Sequence, residues 1–158
     1  FAELGYVDGT PKMLGVQAAG AAAIHEAFHD EGDTDGTAET LADSIAVGRP
    51  RNTRKAVRAL EESGGTSVVV PDDAILEAET LLGSTEGIYT EPAGATAVAG
   101  VKRAIAEGII DNGETVVIVS TGVGLKDTTS AQKATGDVRR IEPDLDEIRA
   151  LFGSDEPN

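Results

Sequence analysis

The sequence predicts an α/β fold, a three-layer sandwich with a mostly parallel sheet. Three observations carry that prediction. Short β-branched runs alternate with helix-forming stretches of about ten residues or more, the pattern of strands joined by crossover helices. The most apolar run, residues 115–121 (TVVIVST), suits a central strand covered on both faces. Glycines at Gly64-Gly65, Gly108 and Gly122-Val123-Gly124 stop the periodic stretches that precede them. With 158 residues and 40% hydrophobic content, one compact core is expected.

Entered through Pro11, residues 12–18 form a short apolar run that reads as a buried strand. Residues 21–29 favour helix through their alanines, and residues 30–37 (DEGDTDGT) combine turn formers with charge, an exposed loop. Residues 53–63 set Ala56, Val57 and Leu60 at helical spacing before the β-branched strand 66–70. Pro71-Asp72-Asp73 supplies a capping start for a helix through Leu76, Ala78, Leu81 and Leu82, with Ile88-Tyr89-Thr90 a brief extended piece after it. Pro92 fits the first turn of the next helix, which carries Val98, Val101 and Ile105 on one face. After strand 115–121 and Asp127 the pattern fades until residues 144–152, where Leu145, Ile148, Leu151 and Phe152 make a terminal amphipathic helix. Residues 153–158 read as a frayed end.

Thirteen Lys and Arg against 28 Asp and Glu leave a net charge of −15, spread along the whole chain. A field of this sign repels nucleic acid and anionic lipid, so neither is an expected partner. An acidic bacterial domain would account for it, but dense carboxylates with only five lysines fit halophilic adaptation better, where salt shortens the Debye length to a few Å. Cysteine is absent, which excludes disulfides, thiolate metal sites and thiol nucleophiles and fits a cytoplasmic protein. No apolar run approaches the roughly 20 residues that span a bilayer. The chain opens at Phe1 without the basic and apolar regions of a signal peptide, and further sequence upstream is expected.

In parallel α/β sheets ligands gather beyond the carboxyl ends of strands. Two such ends stand out. In residues 120–127 (STGVGLKD) a hydroxyl residue closes the strand and glycines allow close approach to the backbone. In residues 87–95 (GIYTEPAGA) a strand turns into a helix through Glu91 and Pro92. Each has a plain structural alternative: a tight turn needing positive φ for the first, an ordinary helix start with Glu91 favourable to the dipole for the second.

Taken in order, the segments resemble threonine synthase. The resemblance runs through residues 11–18 (PKMLGVQA) with 20–22, 39–50, 62–66, 86–95 (EGIYTEPAGA), 108–110 and 121–127 (TGVGLKD), about residues 1–130 in all. Glu91-Pro92-Ala93 is shared across the β-family of pyridoxal-phosphate enzymes; the run Thr121-Gly122-Val123-Gly124-Leu125-Lys126-Asp127 singles out threonine synthase. The resemblance implies the large domain of a tryptophan-synthase-β-like enzyme with pyridoxal phosphate as cofactor. Residues 1–130 would be the carboxy-terminal part of that domain, and residues 131–158 an extension with a helix at 144–152. The whole enzyme would be a haloarchaeal-like homodimer converting O-phosphohomoserine and water to threonine and phosphate.

By the same resemblance Thr121 gives its hydroxyl to the pyridine nitrogen, Gly122 lets the ring lie against the backbone, and Glu91 sits at the cofactor's edge or supports the loop. The family's Schiff-base lysine, its glycine-rich phosphate loop and its substrate-phosphate residues belong to the amino-terminal half. No catalytic residue is therefore assigned within this chain, which by itself is expected to be inactive. Lys126 is assigned an ion pair or a surface position. Two departures stand out, Val123 where the family carries histidine and Gly94 where it carries serine. Threonine dehydratase and cysteine synthase share the glutamate-proline element, but the Leu125-Lys126-Asp127 ending argues against them; a noncatalytic α/β binding domain is the rival of a different class. His25 and His29, four residues apart, have no third ligand nearby and read as surface residues, with no metal site.

Clustered carboxylates repel less as salt screens them, so the thermal midpoint of the folded chain is expected to rise from dilute to molar potassium chloride. Melts at several salt concentrations check this, and a flat or falling Tm removes the halophilic reading.

Overall fold

The computed structural model describes residues 1–30, 36–136 and 140–152. Strand β1 (Leu14–Ala18) leads through a 3-10 turn into helix α1 (Ala23–Phe28). Helix α2 (Thr53–Ser63) and strand β2 (Thr66–Val70) follow, then the long helices α3 (Asp72–Glu86) and α4 (Pro92–Ala106). Helices α5 (Thr128–Thr135) and α6 (Leu145–Phe152) close the chain. The β1–β2 pair is parallel, Leu14 opposite Thr66 and Ala18 opposite Val70. Side chains alternate across it: a Cβ at Gly15 would meet Leu60 of α2, whereas Val16 packs against Gly100 of α4. Helices therefore cover both faces of a parallel sheet, as expected, and α3 lies against α4 on the second.

The core is built from small side chains. Ala18, Ala42, Val70, Ile75, Ala78, Ala95 and Ala99 form its buried cluster. This corrects the face expected of α4: Ala95, Ala99, Gly100 and Ala104 are buried, while Ile105 is 49% exposed. The reason is distance. A Cβ on Gly100 would lie 2.3 Å from a Val16 methyl, so the helix can approach the sheet only along its stripe of small residues. On α3, Ile75, Ala78 and Glu79 turn inward and Leu81 outward. Asp72 does not cap its own helix. Its carboxylate accepts bonds from the Thr40 hydroxyl (2.5 Å) and the Leu41 N–H (2.9 Å), pinning the loop before α2 to the start of α3.

Two further expectations are corrected. Residues 115–121 belong to no sheet: β1 has only β2 beside it among the described residues, and Val117 and Val119 are 86% and 74% exposed. β-Branched composition favours extended backbone, but a strand needs another strand to bond to, and among the described residues none pairs with this run. Helix α5 lies where the pattern faded; its apolar content is low, and it is started instead by Asp127, whose carboxylate accepts from the Ser130 N–H at 3.0 Å. The terminal helix falls at Leu145–Phe152 as expected. Most of the loop at 30–37, and the end at 153–158, lie outside the described residues.

Glu79 is 4% exposed and neither carboxylate oxygen has a hydrogen-bond partner. Burial, and secondarily the charge of Asp127, push its pKa up. The folded chain thus holds this proton more tightly than the unfolded one, and stability falls as pH rises from the ordinary glutamate range through the raised value. Glu79→Gln is expected to stabilise the chain by roughly 1 kcal/mol at pH 8 and by less at pH 5. Urea unfolding at both pH values is the check; equal effects at the two would contradict a titrating Glu79.

Candidate functional site

The two strand ends singled out in the sequence meet in space. Thr90 and Val123 form an antiparallel bridge; the Glu91 N–H donates to the Gly122 carbonyl (3.3 Å) and the Gly124 N–H to the Tyr89 carbonyl (3.1 Å). At the centre is the Thr90 side chain, 2% exposed. Its hydroxyl lies 3.1 Å from the Thr121 carbonyl and 3.0 Å from that of Gly122, and accepts from the Ser120 hydroxyl at 2.9 Å. Backbone groups at a chain reversal need partners, and Thr90 supplies them from inside. Sequence reasoning missed Thr90 and Ser120; a hydroxyl directly before the Glu-Pro helix start was the available signal.

Gly122 has a left-handed φ of +68°, and a Cβ there would sit 2.0 Å from the Glu91 carboxyl carbon. The gap left by this glycine is therefore filled by Glu91 itself. Glu91 is 6% exposed and its carboxylate pairs with the Lys126 ammonium at 3.0 Å. Lys126 thus has the ion-pair position expected of it. Gly94, one of the two departures, also has a physical reason: a Cβ there would lie 2.2 Å from the Thr90 hydroxyl oxygen and 2.3 Å from the Thr121 carbonyl. A larger residue would break the Thr90 bonds. Val123, the other departure, is exposed. Thr121 is exposed as well, its carbonyl held from below.

Beside the ion pair opens a cleft of about 290 Å³ lined by Asp43, Ser44, Glu91, Ala93, Lys126 and Asp127 among others. Asp127 accepts from the Ser130 hydroxyl at 2.6 Å, and this bond first, then the Ser130 N–H, holds its carboxyl below the usual range. Gly124, the first residue of the 3-10 turn Gly124–Lys126, packs against Tyr89 so closely that a Cβ there would enter the ring.

Away from this site, His25 is not the surface residue expected. It is half-buried, its Nδ1 is 2.9 Å from the Ser67 hydroxyl, and its backbone N–H donates to Gln17 Oε1 at 2.8 Å. The His25 and His29 rings lie 4.4 Å apart, but no group of three metal-ligating side chains occurs among the described residues. No helix among them is long and apolar enough to cross a membrane.

Residues 1–122 match the model of the family described as pyridoxal-phosphate dependent enzyme. The chain belongs to that family. Within the pyridoxal-phosphate-dependent enzymes, it is 41% identical over 151 residues to threonine synthase of Methanocaldococcus jannaschii, covering 94% of this chain and 37% of the relative. It is 39% identical over 157 residues to threonine synthase of Methanosarcina acetivorans, covering 97% and 39%. Among solved structures, the processed form of threonine deaminase isoform 2 from Solanum lycopersicum superposes with a TM-score of 0.63 at 25% identity, over 78% of this chain and 35% of that one. The α/β fold with its parallel sheet and helical layers is that of the tryptophan-synthase-β-like pyridoxal-phosphate enzymes. The chain spans less than two fifths of the length of the two threonine synthases it matches. Pyridoxal phosphate is the cofactor of the family, and Thr121, an exposed residue whose carbonyl Thr90 holds, offers a neutral hydroxyl donor at this site.

Gly122→Ala and Gly108→Ala separate strain from collision. Both glycines have φ near +70°, but a Cβ at Gly108 meets nothing within 4 Å. Gly108→Ala is expected to cost about 1 kcal/mol for the left-handed backbone alone. Gly122→Ala should cost at least about 1 kcal/mol more, because the Glu91 carboxylate must also move. Equal losses in urea denaturation would mean that Glu91 does not occupy the Gly122 gap.

Proposed function

We propose that this chain is the carboxy-terminal portion of a haloarchaeal-like threonine synthase. Residues 1–130 complete its pyridoxal-phosphate-binding large domain, and residues 131–158 form a carboxy-terminal extension. The intact, cytoplasmic and homodimeric enzyme converts O-phosphohomoserine and water to threonine and phosphate by γ-elimination and β-replacement. The observation that carries the reading is the Thr121–Gly122 turn, held by Thr90 and filled by Glu91, in a chain 41% identical to a threonine synthase. Bound pyridoxal phosphate would supply the electron sink for this chemistry. Thr121 contributes a neutral hydroxyl to the pyridine nitrogen, a bond of about 1 kcal/mol in net terms whose value is orientation and a tempered ring charge. Glu91 and Gly122 keep that hydroxyl in place. The partner of the unpaired run 115–121 would be the rest of the same enzyme, which also carries the Schiff-base lysine and the phosphate cradle.

A second reading, threonine dehydratase, is favoured by the likeness to the tomato threonine deaminase structure. Higher identity to threonine synthases, and a Leu125-Lys126-Asp127 ending in which Lys126 pairs with Glu91 and Asp127 starts α5, weigh against it.

In the intact enzyme Thr121→Val preserves shape and removes the hydroxyl. It is expected to weaken pyridoxal phosphate binding by roughly 5- to 10-fold, the equivalent of one net hydrogen bond, and to alter the cofactor's absorbance. Equilibrium titration and absorbance spectra test this, and phosphate release from O-phosphohomoserine against deamination of threonine separates the two activities. Unaltered binding and spectrum would remove Thr121 from the cofactor site.

A further inference from the structure

The Glu91 carboxylate is almost wholly buried, it fills the space a side chain at Gly122 would need, and it faces a cleft lined by two other carboxylates, Asp43 and Asp127. Like charges in one cleft drive a side chain outward unless a cation stands among them. Lys126 is the cation in that lining, 3.0 Å from Glu91 Oε2. Its own backbone is fixed: the Lys126 N–H donates to the Val123 carbonyl at 3.1 Å and the Asp127 N–H to that of Gly124 at 2.9 Å. The ammonium is thus presented from the same turn that the Glu91 carboxylate props.

We propose that Lys126 is a positioning residue for Thr121: by pairing with Glu91 it holds the carboxylate in the Gly122 gap, and so fixes the turn that aims the Thr121 hydroxyl. Without it, Glu91 is repelled by Asp43 and Asp127, leaves the gap, and the turn loosens from the Tyr89–Glu91 segment. Were pyridoxal phosphate bound, Thr121 would hold its pyridine nitrogen, and Lys126 would act on that contact only through Glu91 and the turn. The role toward the cofactor rests on the threonine synthase reading; the hold on Glu91 does not.

The test compares Lys126→Met, Lys126→Arg and Thr121→Val in the intact enzyme, with Arg58→Met as a control that removes one positive charge from the exposed Arg58–Glu62 pair. Hydrogen exchange is read at the Glu91 and Gly124 amides, whose bonds join the two segments. In the cofactor-free protein Lys126→Met is expected to speed exchange there about tenfold, with Lys126→Arg and Arg58→Met near wild type. In the loaded protein Lys126→Met is expected to shift the pH profile of cofactor absorbance, and Lys126→Arg to restore it. Unchanged exchange in Lys126→Met overturns the proposal. Faster exchange with an unshifted profile, where Thr121→Val does alter the spectrum, overturns the role toward the cofactor and reduces Lys126 to a brace for the fold. If Thr121→Val leaves the spectrum unaltered, the reading of Thr121 fails instead, and the exchange rates alone decide whether Lys126 holds Glu91.

Discussion

Thr90 carries one hydroxyl proton and two lone pairs into a site that is 2% exposed, and the surrounding chain is arranged around them. Two carbonyls, those of Thr121 and Gly122, converge on that hydroxyl, and the Ser120 hydroxyl donates to it. Without such an internal donor, two backbone segments more than thirty residues apart would have to leave acceptors unpaired or open to water. Once the contact is made, the local geometry follows. Gly94 must stay bare to leave Thr90 its room, Gly122 must turn through positive φ, and the Glu91 carboxylate takes the space so vacated.

The same economy of side chain volume sets the body of the fold. A core of alanines, with one isoleucine and a valine as its larger members, lets α4 sit close on the β1–β2 pair and α3 close on α4. Small residues bury little area each, so stability here comes from many close contacts rather than a few large side chains. Charge is kept outside, where Arg58–Glu62, Lys102–Glu77 and Arg103–Glu107 pair across exposed positions of little energetic weight. Two carboxylates are exceptions: Glu91, met by the Lys126 ammonium, and Glu79 of α3, which no donor meets.

Much of this was legible in the sequence. Helix α2 and strand β2 fall where their periodicity and β-branched composition place them, since both signals are local. Glu91, Thr121 and Gly122 were picked out as strand-end residues, and they lie together. Their purpose in the fold was not legible, because the glycine gap filled by Glu91 joins residues 31 positions apart. Helix α5 was missed because its start depends on a side-chain cap rather than an apolar stripe. Run 115–121 was assigned to the sheet on composition alone, which reports a preference for extended backbone but not the presence of a neighbour. The small-residue face of α4 was hidden because alanine and glycine carry little weight in any pattern of hydrophobic spacing.

The unpaired run has a consequence for how the chain behaves in solution. Val116, Val117, Ile118 and Val119 are between 37% and 86% exposed. A short stretch of high β-propensity, without charge or proline between Thr115 and Thr121, has the composition of a strand that pairs with another, and the chain that exposes it spans less than two fifths of its relatives. The carboxylates elsewhere on the surface keep molecules apart only while their charge is unscreened. Where the run has no partner, screening of those carboxylates would remove one barrier to its pairing with a second copy.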